Sequence, residues 1–147
     1  MVAWARRFLV VVFPLYFVWE LAQMPTYLPH ATRWTRIIAG CGVATVGDTI
    51  MVAGLWIFGA VLFRDRRWFT PPRPGRYAVI VLAGIVVNVL VEWIGVHDLA
   101  LWRYRAWHPT VTPLDVGVVS LIQPVILLPA VFMILYRWPP ATRTSHG

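Results

Sequence analysis

The sequence predicts an all-α membrane protein: one domain over residues 1–147, folded as a bundle of four transmembrane helices. Three observations carry this. The chain is 59% hydrophobic with nine Trp, and only 13% of its 147 residues are charged, against roughly 25% in an average soluble domain. Long uncharged windows match the roughly 20 apolar residues that a spanning helix needs, with room for four. The basic residues, all of them Arg, gather at the edges of those windows, as they do beside a charged membrane surface.

The first span is expected at about 8–24, after Arg6 and Arg7. A basic start before an apolar run also resembles a secretory signal, but Trp19 and Glu20 interrupt the apolar stretch and no small-residue cleavage site follows. Pro25 and Pro29 should end this helix, and Tyr27 and Trp34 suit the membrane interface. The second span, about 37–63, holds Gly40, Gly42, Ala44, Gly47, Gly54 and Gly59, small residues expected to let neighbouring helices approach closely. The segment RDRRWFTPPRPGR then reads as a basic, turn-forming loop. The third span falls at about 77–96. The fourth, about 116–136, contains Pro124 and Pro129 and should kink.

Arginine counts give an orientation. Arg6, Arg7, Arg64, Arg66, Arg67, Arg73, Arg76, Arg137 and Arg143 fall on one side, whereas Arg33, Arg36, Arg103 and Arg105 fall on the other. The positive-inside rule then puts both termini in the cytoplasm of a multi-pass inner-membrane protein, with the 97–115 loop outside. The same placement explains the net charge of +7 without nucleic acid. The single Cys41 excludes an intrachain disulfide and a cysteine-built zinc site.

Residues three, four and seven apart share a helix face, and each span shows one polar stripe. These are Tyr16, Glu20 and Gln23; Cys41, Thr45, Asp48 and Thr49; Gly84, Asn88 and Glu92; and Ser120 and Gln123. At about 1.5 Å per residue, Glu20 lies roughly 20 Å from Arg7, Asp48 roughly 24 Å from Arg64, and Glu92 roughly 22 Å from Tyr77. Three carboxyls therefore share one depth in the outer half of the bilayer. Each costs about 2.5–3.5 kcal/mol to insert, so they should face one another or a wet cavity, with at least one protonated. The amides and hydroxyls of Asn88, Gln123, Thr45 and Ser120 serve equally well as glue between helices.

Glu92, His97, Asp98 and His108 invite a metal reading, but their spacing matches no ligand motif, and no metal site or cofactor is assigned. His97 and Asp98 read as the end of a helix, and Trp102, Tyr104 and Trp107 as interfacial aromatics. The chain lacks a G-x-S-x-G elbow, a P-loop and a dinucleotide fingerprint.

WELAQMPTY, the GD of the second span, the glutamate of the third, and WRYRAWHPTVTPLDVGVVSLIQP together resemble a group of small bacterial membrane proteins. That group pairs W-E-x-x-Q-x-P-x-Y with a later W-x-Y, a proline and a glycine-bearing segment ending in glutamine. The resemblance covers most of the chain and implies the four-helix architecture, but no activity. His108 departs from its pattern. The small multidrug antiporters share four spans and an acid in the first helix, but their surrounding motif is missing here.

Three functions fit these residues. One is a membrane enzyme or binding protein for a lipid-soluble small molecule, with Asp48 and Glu92 as acid and base, assisted by Glu20. Asn88 and Gln123 would hold a substrate oxygen, and Arg103 and Tyr104 would meet its head group. A second is a proton-coupled carrier, for which this size suggests a homodimer. The third is a non-catalytic subunit or assembly factor with polar stripes facing partner helices. Membrane lipids are the common partner of all three.

Overall fold

The protein is described by a computed structural model covering residues 2–28 and 33–138. Four helices make the bundle: α1 (Val2–Gln23), α2 (Trp34–Leu62), α3 (Pro74–Trp93) and α4 (Val118–Arg137). All four are long and apolar enough to cross a membrane, and Val10, Val18, Val43, Ile50, Leu82 and Val86 point outward, as lipid-facing side chains do. The chain is a multi-pass membrane protein. Each helix packs against the next, and α4 closes the bundle against α1.

The helices run past the apolar windows where their flanks allow it. α1 includes Arg6 and Arg7, good helix formers whose charged ends reach outward, and the Arg7 guanidinium lies 5.9 Å from the Trp138 ring centre. α3 begins at Pro74, where a missing N–H costs nothing. Pro25 follows α1 in a short 3₁₀ turn, Met24–Thr26; Pro29 and Arg143 lie outside the described residues. α3 continues into a π-turn, Ile94–Asp98, and residues 116–117, expected in the fourth span, instead pair as a strand. β1 (Thr110–Val111) and β2 (Val116–Gly117) form a small antiparallel hairpin, turned by Asp115 in the left-handed region at φ 50°.

The half of the bundle toward the 63–73 loop is solid. That loop is more than a basic turn: Trp68 and Phe69 point inward. Trp68 is fully buried against Phe132, with ring centres 4.7 Å apart at 62°, and its indole N–H donates to the Trp56 carbonyl at 3.1 Å. Gly59 makes room for this ring, since a Cβ there would come within 2.6 Å of the indole. Val12, Val52, Ile80, Leu128 and Val131 complete the layer.

The glycine-rich face of α2 does not do what its composition suggested. Gly40, Gly42, Gly47 and Gly54 have open space where a Cβ would stand. The close contact is on α3, where a Cβ at Gly84 would meet Leu128 Cδ1 at 2.6 Å and Pro124 Cβ at 3.1 Å. Gly84→Ala is therefore expected to force α3 from α4 and destabilise by about 1–3 kcal/mol, while Gly54→Ala should be neutral or slightly stabilising through helix propensity. Thermal unfolding of both variants in detergent checks this, and equal midpoints would contradict it.

Candidate functional site

The opposite half of the bundle is hollow. A cavity of about 650 Å³ lies between the ends of the four helices, with Glu20, Gln23, Asp48, Asn88, Glu92, Ser120 and Gln123 in its walls. Its side between α2 and α3 is framed by Gly40, Val43, Gly47 and Val91; Val43 is 74% and Val91 50% exposed. The cavity thus opens toward the outer surface of the bundle past the bare glycine face of α2. Leu28, Leu101 and Trp102 cover the end nearest the loops, and Arg36 stands at the rim.

The polar groups divide into two sets. The first holds the loops in place. Asn88 Nδ2 donates to the Ser120 carbonyl, the acceptor that Pro124, lacking an N–H, leaves empty four residues on. Glu92 is buried, and its Oε1 accepts from Tyr104 Oη at 2.6 Å and from Tyr27 Oη at 3.1 Å. The single Tyr27 hydroxyl proton is thereby used, so at the 3.1 Å contact between Tyr27 and Ser120 the serine is the donor. Burial and the adjoining Glu92 charge push the Tyr27 phenol well above its ordinary value. Burial and the hydrogen bond to Glu92 do the same for Tyr104. Both therefore stay protonated donors.

Backbone pairing continues this closure. Leu28 N–H donates to Arg103 O at 2.8 Å and Arg105 N–H to Thr26 O at 3.1 Å. Arg105 Nε bonds the Tyr27 carbonyl at 3.1 Å, and Gly117 N–H donates to Tyr104 Oη at 2.9 Å. Glu92 thus pins two loops, 24–28 and 99–117, over the cavity.

The second set faces the empty space. Trp19 Nε1 donates to Gln23 Oε1 at 3.1 Å, and Gln23 Nε2 donates to Glu20 Oε1 at 2.5 Å. Glu20 of α1 and Asp48 of α2 both stand in the cavity wall. Asp48 Oδ2 and Gln123 Nε2, an acceptor and a donor, are both buried and have no partner.

Of the residues singled out by sequence, Glu20, Asp48, Asn88, Glu92 and Gln123 line one cavity. Tyr104 reaches it only through Glu92. Arg103 does not: its side chain is exposed and borders, together with Tyr104, a separate pocket on the loop surface. Asn88, also in the cavity wall, spends an Nδ2 hydrogen on a backbone carbonyl. Thr45 and Thr49 do not tie helices together either; their hydroxyls donate to the Cys41 and Thr45 carbonyls of their own helix, each at 2.7 Å. Tyr27, read as an interfacial anchor, is instead a ligand of Glu92. Its place in the W-E-x-x-Q-x-P-x-Y segment, one turn beyond Gln23, was the signal in the sequence. Among the described residues, no three of His, Cys, Asp and Glu are grouped to hold a metal ion.

In comparisons with protein families, with curated proteins and with solved structures, the chain finds no match.

Proposed function

We infer that this protein is a membrane-embedded acid–base enzyme acting on a lipid-soluble small molecule that it takes from the bilayer. The observation that carries this reading is the pair of unpartnered buried groups, Asp48 Oδ2 and Gln123 Nε2, inside a cavity open toward the outer surface of the bundle. Leaving such groups without partners costs about 1–3 kcal/mol each, a cost that a bound polar group would remove. Gln123 holds a substrate oxygen. Asp48 and Glu20 exchange protons with the substrate, one accepting as the other donates, so that the pair's proton count is unchanged over a cycle. Glu92 has a different task from the one its sequence position suggested: with both phenols bound to it, it keeps the loops closed.

A carrier is less well supported, because the far half of the bundle is filled by Trp68, Phe69, Phe132 and their neighbours, with no second polar path among the described residues. The test is to incubate purified protein in nonionic detergent with a membrane lipid extract and follow substrate loss and product gain by mass spectrometry. Conversion by wild type that Asp48→Asn lacks supports the enzyme. Equal conversion by the two proteins, or no conversion by either, removes it.

The arginine distribution supports cytoplasmic termini in an inner membrane. In a Cys41→Ser background, a cysteine at Thr110 should label from outside intact cells and one at Pro72 should not. The opposite pattern would invert the topology.

A further inference from the structure

The hairpin loop carries a second pocket, outside the carboxylate cavity. It is a shallow recess of about 350 Å³, bordered by Arg103, Tyr104, Arg105, His108, Thr110 and Asp115. Its distinguishing member is His108. The ring is only 6% exposed and stacks flat on Tyr104, with ring centres 4.5 Å apart at 8°, yet neither ring nitrogen has a hydrogen-bond partner. Gly117 fixes this placement, since a Cβ there would come within 2.5 Å of His108 Nε2. A buried imidazole without a partner is costly, and it borders a recess that also holds two guanidinium groups.

We propose that this pocket binds a phosphate group, with Arg103 and Arg105 as charged donors and His108 and Thr110 completing the hydrogen bonds. Phosphate suits these residues because its several oxygens accept from guanidinium, imidazole and hydroxyl donors together. Arg105 spends Nε on the Tyr27 carbonyl and keeps its terminal nitrogens for a ligand. Asp115 stands on the same rim, so with neutral His108 the two arginines and one aspartate leave +1. The phosphate must then sit toward the arginines, and a ligand N–H or O–H beside it would face Asp115. Because burial lowers the affinity of His108 for a second proton, a bound anion beside the ring would restore some of it. The recess lies on the loop between α3 and α4, just beyond the ends of two candidate spans, so the phosphate belongs either to a lipid or to a free anion.

The two sources are separated by titrating the protein, in phosphate-free maltoside micelles at fixed ionic strength, with inorganic phosphate and with short-chain phosphatidic acid. The readout is the imidazole NMR signal of His108, assigned by its loss in His108→Gln. A saturable shift with phosphatidic acid at least about tenfold tighter than with phosphate assigns the site to lipid; similar affinities assign it to free phosphate. Arg103 is exposed and its side chain makes no hydrogen bond or ion pair among the described residues, so Arg103→Gln should fold normally and weaken binding by about tenfold. The proposal fails if neither probe shifts His108 or if Arg103→Gln binds as wild type does. Neither result bears on the carboxylate cavity, whose test uses Asp48.

Discussion

Asp48→Asn is expected to lower turnover by about 100-fold or more while leaving expression and the unfolding midpoint close to wild type, because general acid–base groups contribute on that scale. Asparagine retains an acceptor toward the cavity and a similar volume, but it cannot take up a proton. Glu20→Gln should behave alike, since its amide oxygen still accepts from Gln23 Nε2. The double variant gives the sharper result. In the proposed cycle the two carboxyls act as a unit, so removing both should cost little more than removing either. Multiplying losses would show instead that the acids work separately. Full turnover in Asp48→Asn from pH 5 to 8 would remove the acid–base mechanism altogether, and lost turnover accompanied by lost folding would assign Asp48 to the scaffold.

Glu92→Leu should be the most destabilising change at this end of the bundle, by about 2–4 kcal/mol. It strands two part-buried phenol donors, each costing about 1–3 kcal/mol when left unmade. Glu92→Gln should be mild, because its amide oxygen accepts both phenols as Oε1 does now. Tyr104→Phe lies between them, losing one donor to Glu92 and one acceptor for the Gly117 N–H. Thermal unfolding and protease cleavage within 99–117 measure the order Leu, then Phe, then Gln. If Glu92→Gln folds normally yet loses turnover as completely as Asp48→Asn, then Glu92 carries chemistry and is more than the closure of the loops.

The architecture was legible because a bilayer demands it: apolar windows of sufficient length and arginines at their edges leave few alternatives to four spans. Rise per residue put Glu20, Asp48 and Glu92 at the same depth, and helical phase put Gln123 on the polar stripe of its own span. Periodicity cannot reach the loops, however. Tyr27 bonds a carboxylate 65 residues away, and no spacing rule links the two. Small residues misled for a related reason. Composition shows where helices are able to approach, but the choice was made by the bulk of Leu128 and Pro124 against Gly84, leaving Gly40, Gly42, Gly47 and Gly54 of α2 uncovered. The inward turn of Trp68 escaped notice because four arginines nearby dominate the local composition, while the space that admits the ring is set by Gly59.

The division between a solid half and a hollow half also has a kinetic consequence. A chamber with its opening on the α2–α3 side and a packed base shows no separate exit among the described residues, so a product of the proposed reaction is expected to leave past Val43, Gly47 and Val91 before the next molecule enters. Product and substrate then exclude one another, and accumulated product should inhibit competitively. Bulk added at the doorway should slow both directions of traffic alike: with Gly47→Phe, association and release would fall together, leaving the equilibrium affinity nearly unchanged.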